Sequence, residues 1–193
     1  MQVGTTTPQF YSDVPATNVF VHNINLLFLN NINVGCTAGQ FCPDDQATRA
    51  QTAQMIISTL LGENFSFTPT PYFEDVPVSH PLFKYIQKLK ELGITAGCTT
   101  TTYCPASLVT RGEMATLMIR AKLRAANTQV TEPPFPSTPF FQDVPGSHIF
   151  FPYIQKLKQV GITAGCAETL FCPSLQTTRG QLAAFVTKAL LAP

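Results

Sequence analysis

Tryptophan is absent from the 193 residues, and charged side chains make up only 12% of them. Twelve Lys and Arg stand against eleven Asp and Glu, for a formal net charge of +1. A nucleic-acid binder is therefore not expected, since the basic stripe that follows a phosphate backbone is missing. No apolar run approaches the roughly 18 residues of a membrane-spanning helix, so no membrane insertion is expected. The opening MQVGTTTPQF has neither a basic nor an apolar region and does not read as a signal peptide. The chain is thus expected to be a mature or excised segment, or one whose export signal lies elsewhere.

What is present is apolar and turn-rich. Hydrophobic residues reach 45%, with 15 Phe and 16 Pro. That composition supports a packed core and argues against charged, low-complexity disorder.

Self-similarity organises the rest. Asp13-Val14-Pro15 recurs as Asp75-Val76-Pro77 and Asp143-Val144-Pro145. Gly35-Cys36 recurs as Gly97-Cys98 and Gly165-Cys166, and Thr48-Arg49 as Thr110-Arg111 and Thr178-Arg179. Every landmark shifts by 62 and then by 68, so the six extra residues fall outside the repeat. The expected division is repeat 1 over 1–61, a linker over 62–71, repeat 2 over 72–126, a Pro-rich linker over 127–139 and repeat 3 over 140–193. Both linkers are rich in Pro, Thr and Ser and should be extended and semi-rigid. A repeat of about 50 residues is too small for a robust core of its own, so the three are expected to pack together.

The six cysteines fall in three C-x5-C pairs at the same place in each repeat. The pattern predicts disulfides Cys36–Cys42, Cys98–Cys104 and Cys166–Cys172, each stabilising by about 2 kcal/mol. Zinc would need converging pairs or nearby His ligands. Disulfides imply an oxidising, extracytoplasmic compartment.

Each repeat reads as two helices. In repeat 2, Ser79 is the expected N-cap and Pro81 the first turn. Leu82, Phe83, Ile86, Leu89 and Leu92 follow at helical spacing, and Gly93 stops the helix. Repeat 3 copies this from Ser147 to Gly161. Repeat 1 lacks the Gly and runs Leu26-Leu27-Phe28-Leu29, which reads as the most buried copy. Thr110-Arg111-Gly112-Glu113 opens the second helix as a capping box, matched by Thr48 to Gln51 and Thr178 to Gln181.

The order F-x-D-V-P, helix, G-I-T-x-G, aromatic with Pro, then T-R-[AG]-[EQ] and helix resembles the S-layer homology repeat. The resemblance covers 10–61, 72–121 and 140–190. It implies a mainly α fold in which three helix-loop-helix units form a pseudo-threefold, three-pronged spindle around a central helical bundle. It implies a non-catalytic module that tethers a surface protein to a bacterial cell-wall polysaccharide, often a pyruvylated secondary polymer or a peptidoglycan-associated glycan. Carried over by motif, the groove residues are Arg49, Arg111 and Arg179, Asp13, Asp75 and Asp143, and Gly97 and Gly165 with their counterpart Gly35. Three departures stand out. The family's His-Trp pair is His80-Pro81, His148-Ile149 and Asn18-Val19 here; Ile32-Asn33-Val34-Gly35 replaces G-I-T-x-G; and the cysteine loop belongs only to some branches of the family.

The residues themselves leave two readings for each arginine. Arg in a first helical turn sits by the positive end of the dipole, so something should compensate. An anionic ligand is one candidate; a carboxylate of the same or another repeat is the other. The Asp residues can cap a nearby backbone or meet ligand hydroxyls. Tyr85 and Tyr153 are candidate sugar contacts, whereas Phe41, Tyr103 and Phe171 read as core beside the disulfides, and His80 and His148 as local caps. Asn64-Phe65-Ser66 is a glycosylation sequon. No catalytic triad order recurs, no cysteine is left unpaired, and no Gly-rich phosphate loop occurs, so neither an enzyme nor a cofactor or metal is expected. An alternative is a self-assembling structural protein of a surface layer or filament. The near-zero charge favours association, and a homo-oligomer is its expected partner.

Overall fold

The computed structural model describes residues 8–126 and 137–191. Most of the second linker, 127–136, lies outside them. Among the described residues there are six α-helices and no strand. They are α1 (Val21–Leu29), α2 (Arg49–Leu61), α3 (Phe83–Glu91), α4 (Arg111–Ala125), α5 (Phe151–Gln159) and α6 (Arg179–Val186), the last running on into a π-helical turn, Thr187–Leu191. The chain is mainly α, with two helices in each repeat.

The second helix of each repeat begins as its sequence dictates. The Thr48, Thr110 and Thr178 side chains accept from the N–H three residues on, and Gln51, Glu113 and Gln181 return the bond. The first helices start otherwise. Ser79 is not the N-cap; α3 begins at Phe83, and Leu82 occupies the cap with no side-chain bond. The chain first makes two turns, with His80 N–H donating to Pro77 and Phe83 N–H to His80. His80 Nδ1 accepts from Leu82 N–H at 3.1 Å, His148 does the same for Phe150, and Asn18 Oδ1 for Phe20.

Gly93 and Gly161 end α3 and α5 at φ 69° and 74°. Gly93 N–H donates to Lys90 and Ile94 N–H to Leu89, a Schellman closure. In repeat 1 Asn31 takes that role at φ 60°, Asn being the residue other than Gly that best tolerates the left-handed region. The α1 helix is not the most buried copy. Ile24, Asn25 and Leu27 are its buried residues and Leu29 is 63% exposed, whereas five residues of α3 are buried. Four apolar residues in a row necessarily face all round a helix, so one of them must meet water.

The three predicted disulfides are formed. Asp13, Asp75 and Asp143 close the same loops from the other side. Asp75 accepts from Tyr103 N–H and Cys104 N–H, both at 2.7 Å, and its counterparts do likewise for Phe41 with Cys42 and Phe171 with Cys172. The carboxylate thereby holds a cysteine whose φ is 55–59° in the three copies, a conformation most side chains avoid.

The repeats bond in a cycle. Arg49 and Ala50 N–H donate to Ser107 and Pro105 of repeat 2, Arg111 and Gly112 to Leu175 and Pro173 of repeat 3, and Arg179 and Gly180 to Asp45 and Pro43 of repeat 1. Thr48 bridges to Leu108, Thr110 to Gln176, and Gln46 to Thr178. The amides that a helix start leaves unsatisfied are thus bonded by the next repeat. Helices follow the same order: α2 packs on α3, α4 on α5, and α6 on α1. Phe41, Phe73, Tyr103, Phe141 and Phe171 are almost wholly buried in the shared core.

The first linker holds no helix and is pinned. Gln87 Nε2 donates to the Thr68 and Thr70 carbonyls, Glu91 accepts from Thr68 N–H, and Phe65 packs on Tyr85.

Candidate functional site: the grooves between repeats

All three motif arginines are buried at the seams between repeats. Each is the first residue of its helix, and its side chain crosses to the following repeat. Arg49 Nε donates to the Tyr103 carbonyl at 2.8 Å, Arg111 to Phe171 at 2.8 Å and Arg179 to Phe41 at 2.9 Å. Each guanidinium also lies over the ring of that aromatic, 4.7–5.1 Å from its centre. The arginines therefore fasten neighbouring repeats through hydrogen bond and cation–π contact together. Burial pulls the guanidinium groups of Arg111 and Arg179 below the ordinary arginine value; the nearby Asp143, and for Arg179 the nearby Asp45, work the other way.

The helix N-termini themselves are closed to an anion. The first two amides bond across the seam and the third is taken by the capping Thr. Two seams open beside their arginines into cavities. One, of about 350 Å³, is lined by Arg49, Gly97, Glu113, Thr116, Arg120 and Phe150 among others. The other, of about 260 Å³, is lined by Arg111, Thr163, Gly165, Gln181, Lys188 and Phe20. Residue by residue these are the same groove one repeat apart: Arg49 matches Arg111, Glu113 matches Gln181, and Arg120 matches Lys188. Gly35 lines a separate cavity of about 340 Å³ with Phe10, Tyr11 and Phe28.

Gly97 and Gly165 form groove walls and could be nothing else. Their φ values are 109° and 114°, and a Cβ would come within 2.4 Å and 2.5 Å of the Thr99 and Leu170 carbonyl oxygens. The Asp oxygens face the loop amides already described. Tyr85 is buried away from both grooves, donating its hydroxyl to Glu63 beneath the first linker. Tyr153 is buried and accepts from Arg120 Nη2 at 3.1 Å, which sets that arginine in the larger groove. At the missing tryptophan position, Val19 and Ile149 are 83% and 78% exposed. Asp13, Cys36 and Cys42 lie within ligating distance of one another, but the two sulfurs are bonded together and the carboxylate accepts from two amides, so the trio offers no donor set for a metal.

Sequence reasoning missed the side chains that complete the grooves: Glu113 with Arg120, and Gln181 with Lys188. Their seven-residue spacing from the capping-box acid or amide puts them on one helix face, a signal that was there to read.

Disulfide-tied helical repeats bonded in a cycle, with a buried arginine at every seam, define a repeat-built protein whose clefts belong to no single repeat. The S-layer homology domain profile matches residues 72–115 and 140–183. Each of these two segments reads as an S-layer homology domain by that match. Repeat 1 lies outside the matched segments yet has the same capping box, aspartate clamp and cysteine loop. Cell surface glycoprotein 1 of Acetivibrio thermocellus is 27% identical over 162 residues, 81% of this chain. The chain spans about 7% of that protein's length.

Proposed function

We propose that the chain is a non-catalytic cell-surface module that anchors to the cell wall by holding an anionic polysaccharide in the grooves between repeats. The two matched S-layer homology segments and the cell-surface relative support the anchoring role. The observation that carries the ligand class is Arg111: the residue lines a cavity, and its Nη2 is buried without a hydrogen-bond partner. A buried, charged donor left unpaired is costly, and an oxyanion is the ligand that relieves it. Small cavities at repeat seams suit single sugar units along a polymer better than one large molecule. The walls differ from the family pattern in one respect. Aliphatic Val19 and Ile149 stand where the family has Trp, so sugar stacking is weaker and charge carries more of the recognition.

The test is co-sedimentation of the chain with cell-wall sacculi from its source, intact or stripped of secondary polymer. Binding to intact walls alone, weakening as salt rises, is the expected result. Equal binding to stripped walls, or none to either, refutes the reading.

A further inference from the structure

We propose that the grooves are unequal, and that one of them, between Arg111, Gln181 and Lys188, is the anion site of this chain. This rests on the polysaccharide reading above. Position for position the three seams carry Arg49 with Glu113 and Arg120, Arg111 with Gln181 and Lys188, and Arg179 with Gln51 and Ser58.

At the first seam the charges are already spent. Arg49 Nη1 meets Glu113 Oε1 at 3.4 Å. Arg120 gives Nη2 to the Tyr153 hydroxyl and lies over its ring. An incoming anion there would have to displace a carboxylate that is also part of a capping box. At the third seam Arg179 gives Nε to Phe41 and Nη2 to the Val34 carbonyl, and the hydroxyl at the position of Lys188 is Ser58, which donates to Glu63.

The remaining seam differs on every count. Arg111 Nη2 has no partner although the residue is only 6% exposed. The capping-box residue is Gln181, which is neutral and gives its oxygen to Thr178 N–H. Lys188 is exposed at the rim and has no ion pair among the described residues. No carboxylate lines the cavity. Asp143 is the acid whose field reaches Arg111, and both its oxygens accept from backbone amides. The site thus offers two cations, no competing acid, and a cavity of about 260 Å³. That is below the roughly 300–1,000 Å³ of sites for larger molecules. The occupant it fits is one anionic group of a wall glycan, a carboxylate or a phosphodiester.

Arg111 also fastens two repeats, so its removal would confound binding with folding. Gln181→Glu avoids this, because Glu113 shows that the capping box works with Glu, and it copies the neutralised seam into the open one. Lys188→Ala removes the rim cation. Lys156→Ala removes a surface cation that lines neither groove and serves as a control. Each full-length variant is titrated with polysaccharide released from the source's walls. The polymer is used native, amidated with carbodiimide to remove carboxylates, or treated with hydrofluoric acid to remove phosphodiesters. Gln181→Glu and Lys188→Ala are expected to weaken binding at least about tenfold, Lys156→Ala to leave it as in the wild type, and one of the two chemical treatments to abolish it. Wild-type affinity in both Gln181→Glu and Lys188→Ala, an equal loss in Lys156→Ala, or binding that survives both treatments overturns the assignment while the anchoring reading stands. Failure of the wild-type chain to bind either polymer or intact walls overturns both.

Discussion

Gly112 meets its neighbour so closely that a single methyl group should be felt across a seam. It is the second residue of α4, and a Cβ there would lie 2.3 Å from Phe150 Cδ2, 2.8 Å from Cε2 and 3.1 Å from Cγ. The ring must therefore move by about 1 Å to restore ordinary contact. It cannot swing freely, because Phe150 caps α5 and its N–H is held by His148 Nδ1. Two effects compete in Gly112→Ala. Helix propensity favours Ala by up to about 1 kcal/mol, while overpacking costs about 1–3 kcal/mol. The clash is with the flat of a ring, not a flexible tip, so overpacking should win by about 1–2 kcal/mol. For a chain of this size that is a fall of about 2–8 °C in Tm. The molecule contains its own control: at the corresponding seam Ala50 stands in the place of Gly112 and Leu82 in the place of Phe150. Gly112→Ala with Phe150→Leu should thus be more stable than the sum of the two single changes, with a coupling of about 1 kcal/mol. Chemical denaturation of the four proteins measures the cycle. A Gly112→Ala protein as stable as the wild type, or a double variant with no coupling, would refute the account of a size-matched seam.

Asp75→Ala removes both acceptors that hold Tyr103 and Cys104 amides and should cost about 3–6 kcal/mol, at about 1.5–3 kcal/mol for each bond to a charged group; a denaturation midpoint unchanged from the wild type would contradict it. Replacing Cys98 and Cys104 by Ser opens a loop whose cysteines are six apart, so a loss of about 2 kcal/mol is expected in thermal melts. Acid should loosen the first linker. Burial works to raise the Glu63 and Glu91 carboxyls, but Ser58, Tyr85 and Lys84 bonded to Glu63, and Lys88 and Thr68 bonded to Glu91, outweigh it and hold both below the usual carboxylate value. A depressed folded pKa gives stability that is present above the unfolded value near 4.5 and lost as pH falls through the folded one. Pepsin cleavage between residues 62 and 71 should therefore rise steeply below that pH, and a rate flat across it would count against the clamp.

Much of this architecture is local and could be read along the chain. The capping boxes need only Thr and, three residues on, Gln or Glu; the disulfides join cysteines six apart; and the helix stops need a residue that tolerates positive φ. Each depends on neighbours in sequence, so three copies of a pattern predict three copies of a structure. Asn31 shows the limit of matching letters: the Gly was absent, yet the left-handed stop was kept. The start of α3 shows another, since Ser79 is a good cap by type but two intervening turns carry the helix start past it.

The arginines mark where sequence reading runs out. Their positions were evident, but each meets a partner from another repeat, 54, 60 and 138 residues away. Whether Arg111 is free or spent is decided by what stands opposite it when the ring of repeats closes. Gln181 and Glu113 are equivalent letters in a capping box, where either can return the bond to Thr. They become opposites only across a seam, where Glu113 pairs with Arg49 and Gln181 leaves Arg111 without a carboxylate partner. Local hydrogen bonding is satisfied by both, and only packing brings the charge difference to bear.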